Sequence, residues 1–388
     1  MLIGEIEGTT STSQFKFRAY KEIKKFDFVA VKTELSGEEK WILAQVQEVK
    51  KHPEGKTEAE GEVIGYREKG LMKRPRGALK SGSMVYKASQ ELISETFGLI
   101  DQGLFLGNLE TNPDISIYLD PEDLYRHLAI LAKTGSGKSY VAAIVVEELL
   151  EKDYPVIILD PHGEYHTLKQ ENEIPQEFQE KFNIDPESYD VREFSADTEI
   201  NQRALSLSFS DKNLKPKELK QLIPTSLTNS QLGVLYKVLK NLEEDYDLDK
   251  LIDETMNADS KAKWNLVSML EILQDSKLFS DNPTDLKDLV REGTASVINL
   301  KGVEPETQQM VVYMLAKQLF HLRKIGDVPP FIMLIEEAHN FVPERNFGKA
   351  VCSDVLRSIA SEGRKFGLGI IVVSQRPARI DKNILSQC

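Results

Sequence analysis

The chain has 388 residues, with 49 lysines and arginines against 62 aspartates and glutamates, a formal net charge of −13. With 40% hydrophobic and 29% charged residues it lies in the ordinary globular range, which excludes a mainly disordered or fibrous protein, and at roughly 150 residues per domain it has room for two to three domains. Only Cys352 and Cys388 are present, which excludes a disulfide scaffold or a cysteine-based zinc site and points to a reducing compartment. No run of about 18 apolar residues marks a membrane span, and the N-terminus lacks the basic and apolar stretches of a secretory signal, so a cytoplasmic protein with no membrane partner is expected. The acidic balance argues against a surface coated for nucleic acid, but not against a local basic channel.

Residues 1–115 read as short strands between turn signals, a small barrel or sandwich. Ile42, Ala44 and Val46 alternate with Leu43, Gln45 and Gln47, the period of a half-buried strand. Phe26–Lys32, Gly61–Arg67, Ser83–Ala88 and Gly103–Leu109 are further strand candidates, punctuated by His52-Pro53-Glu54-Gly55 and Arg74-Pro75-Arg76-Gly77. The basic run Lys73, Arg74, Arg76, Lys80 reads either as a solvated turn or as a phosphate contact.

Over residues 116–388 the pattern changes. Short apolar runs at 127–131, 155–160, 295–300, 331–335 and 368–374 alternate with helical segments, notably 140–152, 305–324 and 350–365. Nearly continuous apolar runs are what parallel strands covered on both faces require, and their alternation with helices marks an open α/β sheet. The interval from about 196 to 290 is charged and helical, with Leu232, Leu235, Val238 and Leu239 on one face, and reads as a helical insertion.

Ala132-Lys133-Thr134-Gly135-Ser136-Gly137-Lys138-Ser139 fits the phosphate-loop pattern, with Ala in place of the first glycine, and sits between an apolar strand and an apolar helix as the motif requires. Glycines let consecutive N–H groups turn inward around a phosphate, and the helix beginning near Lys138 directs its positive end at the same anion. Lys138 supplies a charge to the β- and γ-phosphates of ATP, Ser139 a hydroxyl for magnesium. Tyr140, the next residue of the helix, completes the nucleotide-binding set.

The strand at 331–335 ends in Glu336 and Glu337. In phosphate-loop enzymes one acid there holds magnesium and a second orients and deprotonates the attacking water. Successive strand residues point to opposite faces, so the two are expected to work from different positions: Glu336 on the magnesium shell, Glu337 on the water. Gln375, directly after the last strand, is placed to sense the γ-phosphate. Asp160, closing the second strand, lies at the same sheet edge, where open α/β sheets bind ligands. His162, His166 and His339 have no metal-ligand spacing and read as structural.

With these motifs in order (LAILAKTGSGKS, VIILDPHGEY, LIEEAHNFVP and SEGRKFGLGIIVVSQRP) the chain resembles the HerA family of hexameric DNA translocases, of the same broad division of ATPases as the FtsK chromosome pumps. The resemblance covers essentially the whole chain and implies a RecA-like ATPase core behind a small N-terminal β-barrel domain, a ring around duplex DNA, and ATP-driven translocation or unwinding. It further implies a NurA-type nuclease partner in DNA end resection, or, as in bacterial relatives, a defence effector. In such rings a neighbour's arginine reaches the γ-phosphate. Arg364 matches the family position for that finger, with Arg357, Arg376 and Arg379 as competitors, and Arg126 matches another family arginine near the nucleotide. The family normally continues past Cys388 with more sheet, so a C-terminally truncated chain is expected. A conjugation-type or anti-phage defence motor is the rival within the class; a small-molecule phosphotransferase and a nucleotide-holding scaffold are rivals outside it.

Overall fold

A computed structural model describes the chain apart from residues 36, 54, 134, 172, 183, 224–226 and 243–245; Glu54 of the first turn cluster and Thr134 of the phosphate loop therefore lie outside the described residues. Two units divide at Asp120/Pro121.

The first unit contains β1 (Leu2–Ile6), β2 (Gln14–Ala19), β3 (Phe28–Leu35), β4 (Glu38–Lys51), β5 (Thr57–Glu68), β6 (Leu71–Lys73), β7 (Met84–Lys87), α1 (Gln90–Phe97), β8 (Leu104–Leu109) and β9 (Asn112–Leu119). The strands run in the order β2-β1-β7-β3-β4-β5-β6, and β2 also pairs with β5, so six strands close into a barrel and β6 hangs from its edge. Closure removes the free edges an open sheet this small would present. Period-two alternation fills the interior: Phe15 and Phe17 from β2 and Ile42, Ala44 and Val46 from β4 share one core. Leu43 points outward but is not solvated, because it packs with Ala30, Ile93 and Ile115 beneath α1 and the β8–β9 hairpin. In the basic run, Lys73 pairs with Glu68 at 2.5 Å.

The second unit contains β10 (Leu128–Leu131), α2 (Lys138–Leu150), β11 (Val156–Asp160), α3 (Gln176–Phe182), β12 (Asp190–Ser195), β13 (Leu205–Ser206), α4 (Pro216–Leu222), α5 (Asn229–Asn241), α6 (Leu248–Met256), α7 (Lys263–Asp275), β14 (Thr294–Asn299), α8 (Pro305–Ile325), β15 (Phe331–Ile335), α9 (Ser353–Glu362), β16 (Leu368–Ser374) and α10 (Lys382–Leu385). Seven strands form one sheet in the order β10-β16-β15-β11-β14-β12-β13, all parallel. Two of them, β12 and β13, extend the sheet beyond the five apolar runs. Their short, charge-interrupted sequences hide them, since β12 carries Asp190, Arg192 and Glu193.

Helices α4 to α7 lie within the insertion. Thr228 caps α5 by accepting from the Gln231 N–H, and the Gln231 side chain accepts from the Thr228 N–H in return, a reciprocal start signal. The insertion shares the sheet's core: Leu235, Leu251, Leu266 and Leu270 join Leu159, Ile298 and Met333 in one apolar cluster. Among the described residues no helix is long and apolar enough to cross a membrane.

Candidate active site

Parallel strands carry their C-terminal ends to one edge, and in this sheet the chemistry gathers there. β16 lies between β10 and β15, with Leu131 opposite Ser374 and Val372 opposite Ile335. The loop after β10 and the acids after β15 thus flank the end of β16. Gly135 and Gly137 have φ of +76° and +82°, left-handed values that favour glycine over any side chain, and Gly137 caps α2 with no side-chain hydrogen bond. The loop is tightened by Ser136, whose N–H and hydroxyl both donate to the Lys133 carbonyl, at 3.2 and 2.5 Å. The first N–H groups of α2, which have no acceptor within the helix itself, open at the loop, the arrangement that receives an anion. Helix α2 is held by Ala142, Val145, Val146 and Leu149, a buried stripe at helical spacing.

Lys138 is buried, and its ammonium donates to Glu336 Oε2 at 2.9 Å and to Glu337 Oε1 at 3.4 Å. Both acids therefore reach one cation, which corrects the expectation that they face opposite sides of a strand. The strand ends at Ile335, and Glu337 has φ +46° and ψ +46°. A left-handed residue right after the strand breaks the alternation and turns the second carboxylate back toward the first.

Each acid also has further partners. Tyr165 donates its hydroxyl to Glu336 Oε1 at 2.8 Å; burial and the neighbouring carboxylate push the phenol well above its usual range, so it stays protonated and donates. Gln375 donates to Glu337 Oε1 at 3.2 Å. His339 Nδ1 lies 3.2 Å from Glu337 Oε2 and 3.1 Å from Ser374 Oγ, and burial lowers its pKa, keeping the ring neutral.

Asp160 is at the same edge, but its carboxylate is turned to the backbone. It accepts from the N–H groups of His162, Gly163 and Tyr165 at 3.1, 2.8 and 3.0 Å. Burial raises its pKa while those donors pull it down. With its oxygens turned this way, Asp160 shapes the turn that delivers Tyr165. Sequence reasoning missed Tyr165 and set His339 aside. The available signal for Tyr165 was an aromatic hydroxyl five residues after a buried Asp, since a buried phenol needs a partner.

The remaining candidates fall in two places. Ala132 and Ser139 are half-buried at the loop, Lys133 is exposed, and Tyr140 is 72% exposed on the first turn of α2. Arg376 and Arg379 follow β16 at the same edge, Arg379 lying over the Phe347 ring. Arg357 is tied to Asp354 and the buried Asp381 at 2.8 Å each. Arg364 and Arg126 are at the opposite edge: Arg364 precedes β16, and Arg126 precedes β10 and pairs with Asp123 at 3.4 Å. The strand β16 alone spans about 20 Å, so the structure does not bring either arginine to the phosphate loop of its own chain.

Comparison with known proteins matches residues 104–319 to the family described as "Helicase HerA, central domain", more than half of the chain. "Probable helicase MJ1565" of Methanocaldococcus jannaschii is 31% identical over 86% of this chain and 65% of its own length. "Probable DNA double-strand break repair helicase HerA" of the same organism is 28% identical over 100% and 84%. "DNA double-strand break repair helicase HerA" of Sulfurisphaera tokodaii is 31% identical over 82% and 64%. The chain thus spans slightly less than two-thirds of the length of two of these relatives. Among solved structures, VirB4 of Thermoanaerobacter pseudethanolicus shares the fold, with a TM-score of 0.52 and 15% identity over 74% of this chain and 82% of that one. A closed barrel followed by an α/β core, a phosphate loop one strand away from a paired-acid strand end, and a family match from the end of the first unit through most of the second agree: the chain belongs to the HerA family.

Proposed function

We propose that this chain is an ATP-driven DNA motor of the HerA type, which hydrolyses ATP between subunits of a hexameric ring to move along or unwind duplex DNA. The observation that carries the reading is the buried Lys138–Glu336–Glu337 cluster, with Gln375, just after the intervening strand, donating to Glu337. A lysine, two acids and an amide at the mouth of a helix N-terminus are the parts that phosphoanhydride hydrolysis needs. The names of the relatives, double-strand break repair helicases among them, support DNA as the track and repair as the setting; a NurA-type nuclease partner rests on the family resemblance alone. The likeness to VirB4 is one of fold and does not favour a conjugation role.

Magnesium fits the site. Among the described residues no three His, Cys, Asp or Glu side chains gather as a metal cage, and magnesium bound with a nucleotide does not use one, taking one or two protein oxygens beside phosphates and waters. The Ser139 hydroxyl and Glu336 would hold it, and the Lys138 ammonium already marks a place where a cation is accepted beside Glu336. When bound, the ion supplies charge neutralisation at the phosphates.

The residues then divide the work. The loop N–H groups and Lys138 bind the phosphates, so Lys138 leaves the carboxylates as ATP enters. Glu337, relieved of the ammonium, orients a water and takes its proton. Gln375, hydrogen-bonded to Glu337, reports the γ-phosphate to the end of β16. Arg364 and Arg126, together on the far edge, are presented to a neighbouring copy's nucleotide. The test is ATP turnover with and without linear duplex DNA: stimulation by DNA is expected, acceptor-dependent transfer would indicate a phosphotransferase, and nucleotide binding with no turnover under either condition would indicate a scaffold.

A further inference from the structure

Glu336 is 2% exposed and holds two partners at once, Lys138 on Oε2 and Tyr165 on Oε1. The proposed reading, on which this inference rests, requires Lys138 to move to the phosphates. That movement strips a buried carboxylate of its counter-charge, and a buried charge without a partner is costly. Tyr165 is built to stay. Its ring is 4% exposed, its backbone N–H is held by Asp160 at 3.0 Å, and Asp160 also fixes the two residues at the start of the turn. Among the described residues these hydrogen bonds involve no part of the phosphate loop, so Lys138 can leave without releasing the tyrosine.

We propose that Tyr165 is a positioning residue for the exchange of cations at Glu336: it keeps the carboxylate hydrogen-bonded and aimed while Lys138 departs to the nucleotide and magnesium takes its place. The loss of this hydroxyl is felt most in the intermediate condition, nucleotide bound without magnesium, because only there has Glu336 no other partner. With the ammonium or the metal ion beside it, the carboxylate is compensated from its other oxygen.

The experiment is a fluorescence titration of labelled ADP on the full chain, in chelator and in excess magnesium. Tyr165→Phe keeps the buried ring and removes one hydroxyl. Affinity in chelator is expected to fall about tenfold, the worth of a hydrogen bond to a buried charge, and magnesium to restore most of it, so the variant gains more from magnesium than the wild type. In the Glu336→Gln background, where no charge is stranded, adding Tyr165→Phe is expected to leave the chelator affinity little changed. Equal affinities for wild type and Tyr165→Phe in chelator would overturn the proposal. So would a loss of the same size with and without magnesium, or a full loss persisting in the Glu336→Gln background, since each assigns the tyrosine to packing alone. Wild-type protein that binds no nucleotide under either condition would instead remove the ATPase reading itself.

Discussion

Replacing Lys138 by methionine tests the cluster at its centre. The three side chains are 6%, 3% and 8% exposed for Lys138, Glu336 and Glu337. Removing one partner of a buried ion pair costs about 3–5 kcal/mol, because the other is left uncompensated. Here two carboxylates are stranded, but Tyr165 and Gln375 still donate to them, which places the expected cost at the lower end, about 3 kcal/mol. For a domain of this size that is roughly a 6–12 °C fall in melting temperature. Thermal unfolding of nucleotide-free protein measures it. Glu336→Gln added to Lys138→Met is expected to recover part of the loss, since it removes one stranded charge. If Lys138→Met melts with the wild type, or the added Glu336→Gln makes matters worse, the ammonium is not compensating those carboxylates.

Glu337→Gln is expected to bind ATP yet hydrolyse it about 10²–10⁴-fold more slowly, the usual worth of a general base; single-turnover hydrolysis alongside a binding titration decides, and lost binding would count against the assignment. Mixing Arg364→Ala with Lys138→Met subunits is expected to restore some hydrolysis at mixed interfaces, and no recovery at any ratio would argue against a finger reaching across. His127 gives a pH dependence. Its Nε2 contacts the Ala360 carbonyl at 2.8 Å while Nδ1 accepts from the Ile370 N–H at 3.0 Å, so the ring is held neutral, and burial lowers its pKa. The unfolded chain therefore binds more protons on acidification: the stability His127 contributes is complete above about pH 6.5 and is lost as pH falls, by up to about 1.4 kcal/mol per unit. Denaturant titrations from pH 8 to 5 should show wild type and His127→Gln converging as pH falls, and parallel curves would refute this.

The sheet and the phosphate loop were legible because their physics is local. Continuous apolar runs such as Val156–Leu159 and Ile370–Val373 need no tertiary context to read as buried strands, and the glycines of the loop answer to backbone conformation alone. The strand ends were legible for the same reason: once strands are parallel, Asp160, Glu336 and Gln375 must share an edge. The charge-bearing β12 was not legible, nor were the contacts made by turns. Glu337 joins Lys138 through one left-handed residue, and Tyr165 reaches Glu336 through a turn built on Asp160. Neither follows from periodicity, which describes elements and is silent once they end.

That silence coincides with where the fold does something costly. Seven described non-glycine residues have positive φ, and of these only His127 and Glu337 are buried. A left-handed backbone at a non-glycine residue costs of order 1–3 kcal/mol, and a buried lysine among two carboxylates adds little net stability over apolar side chains of the same shape. His127 recovers its cost through two hydrogen bonds that join α9 and β16 to the start of β10. Glu337 accepts from Lys138 at the start of α2 and from Gln375 after β16, and its turn brings a second acid to a cation that one acid already holds. Among the described residues the buried polar side-chain atoms left without a partner are on Thr111, Ser296 and Arg323, none of them a member of this cluster. A strained charge cluster at the mouth of a helix, adding little net stability of its own, is the arrangement that the proposed exchange of cations at Glu336 requires.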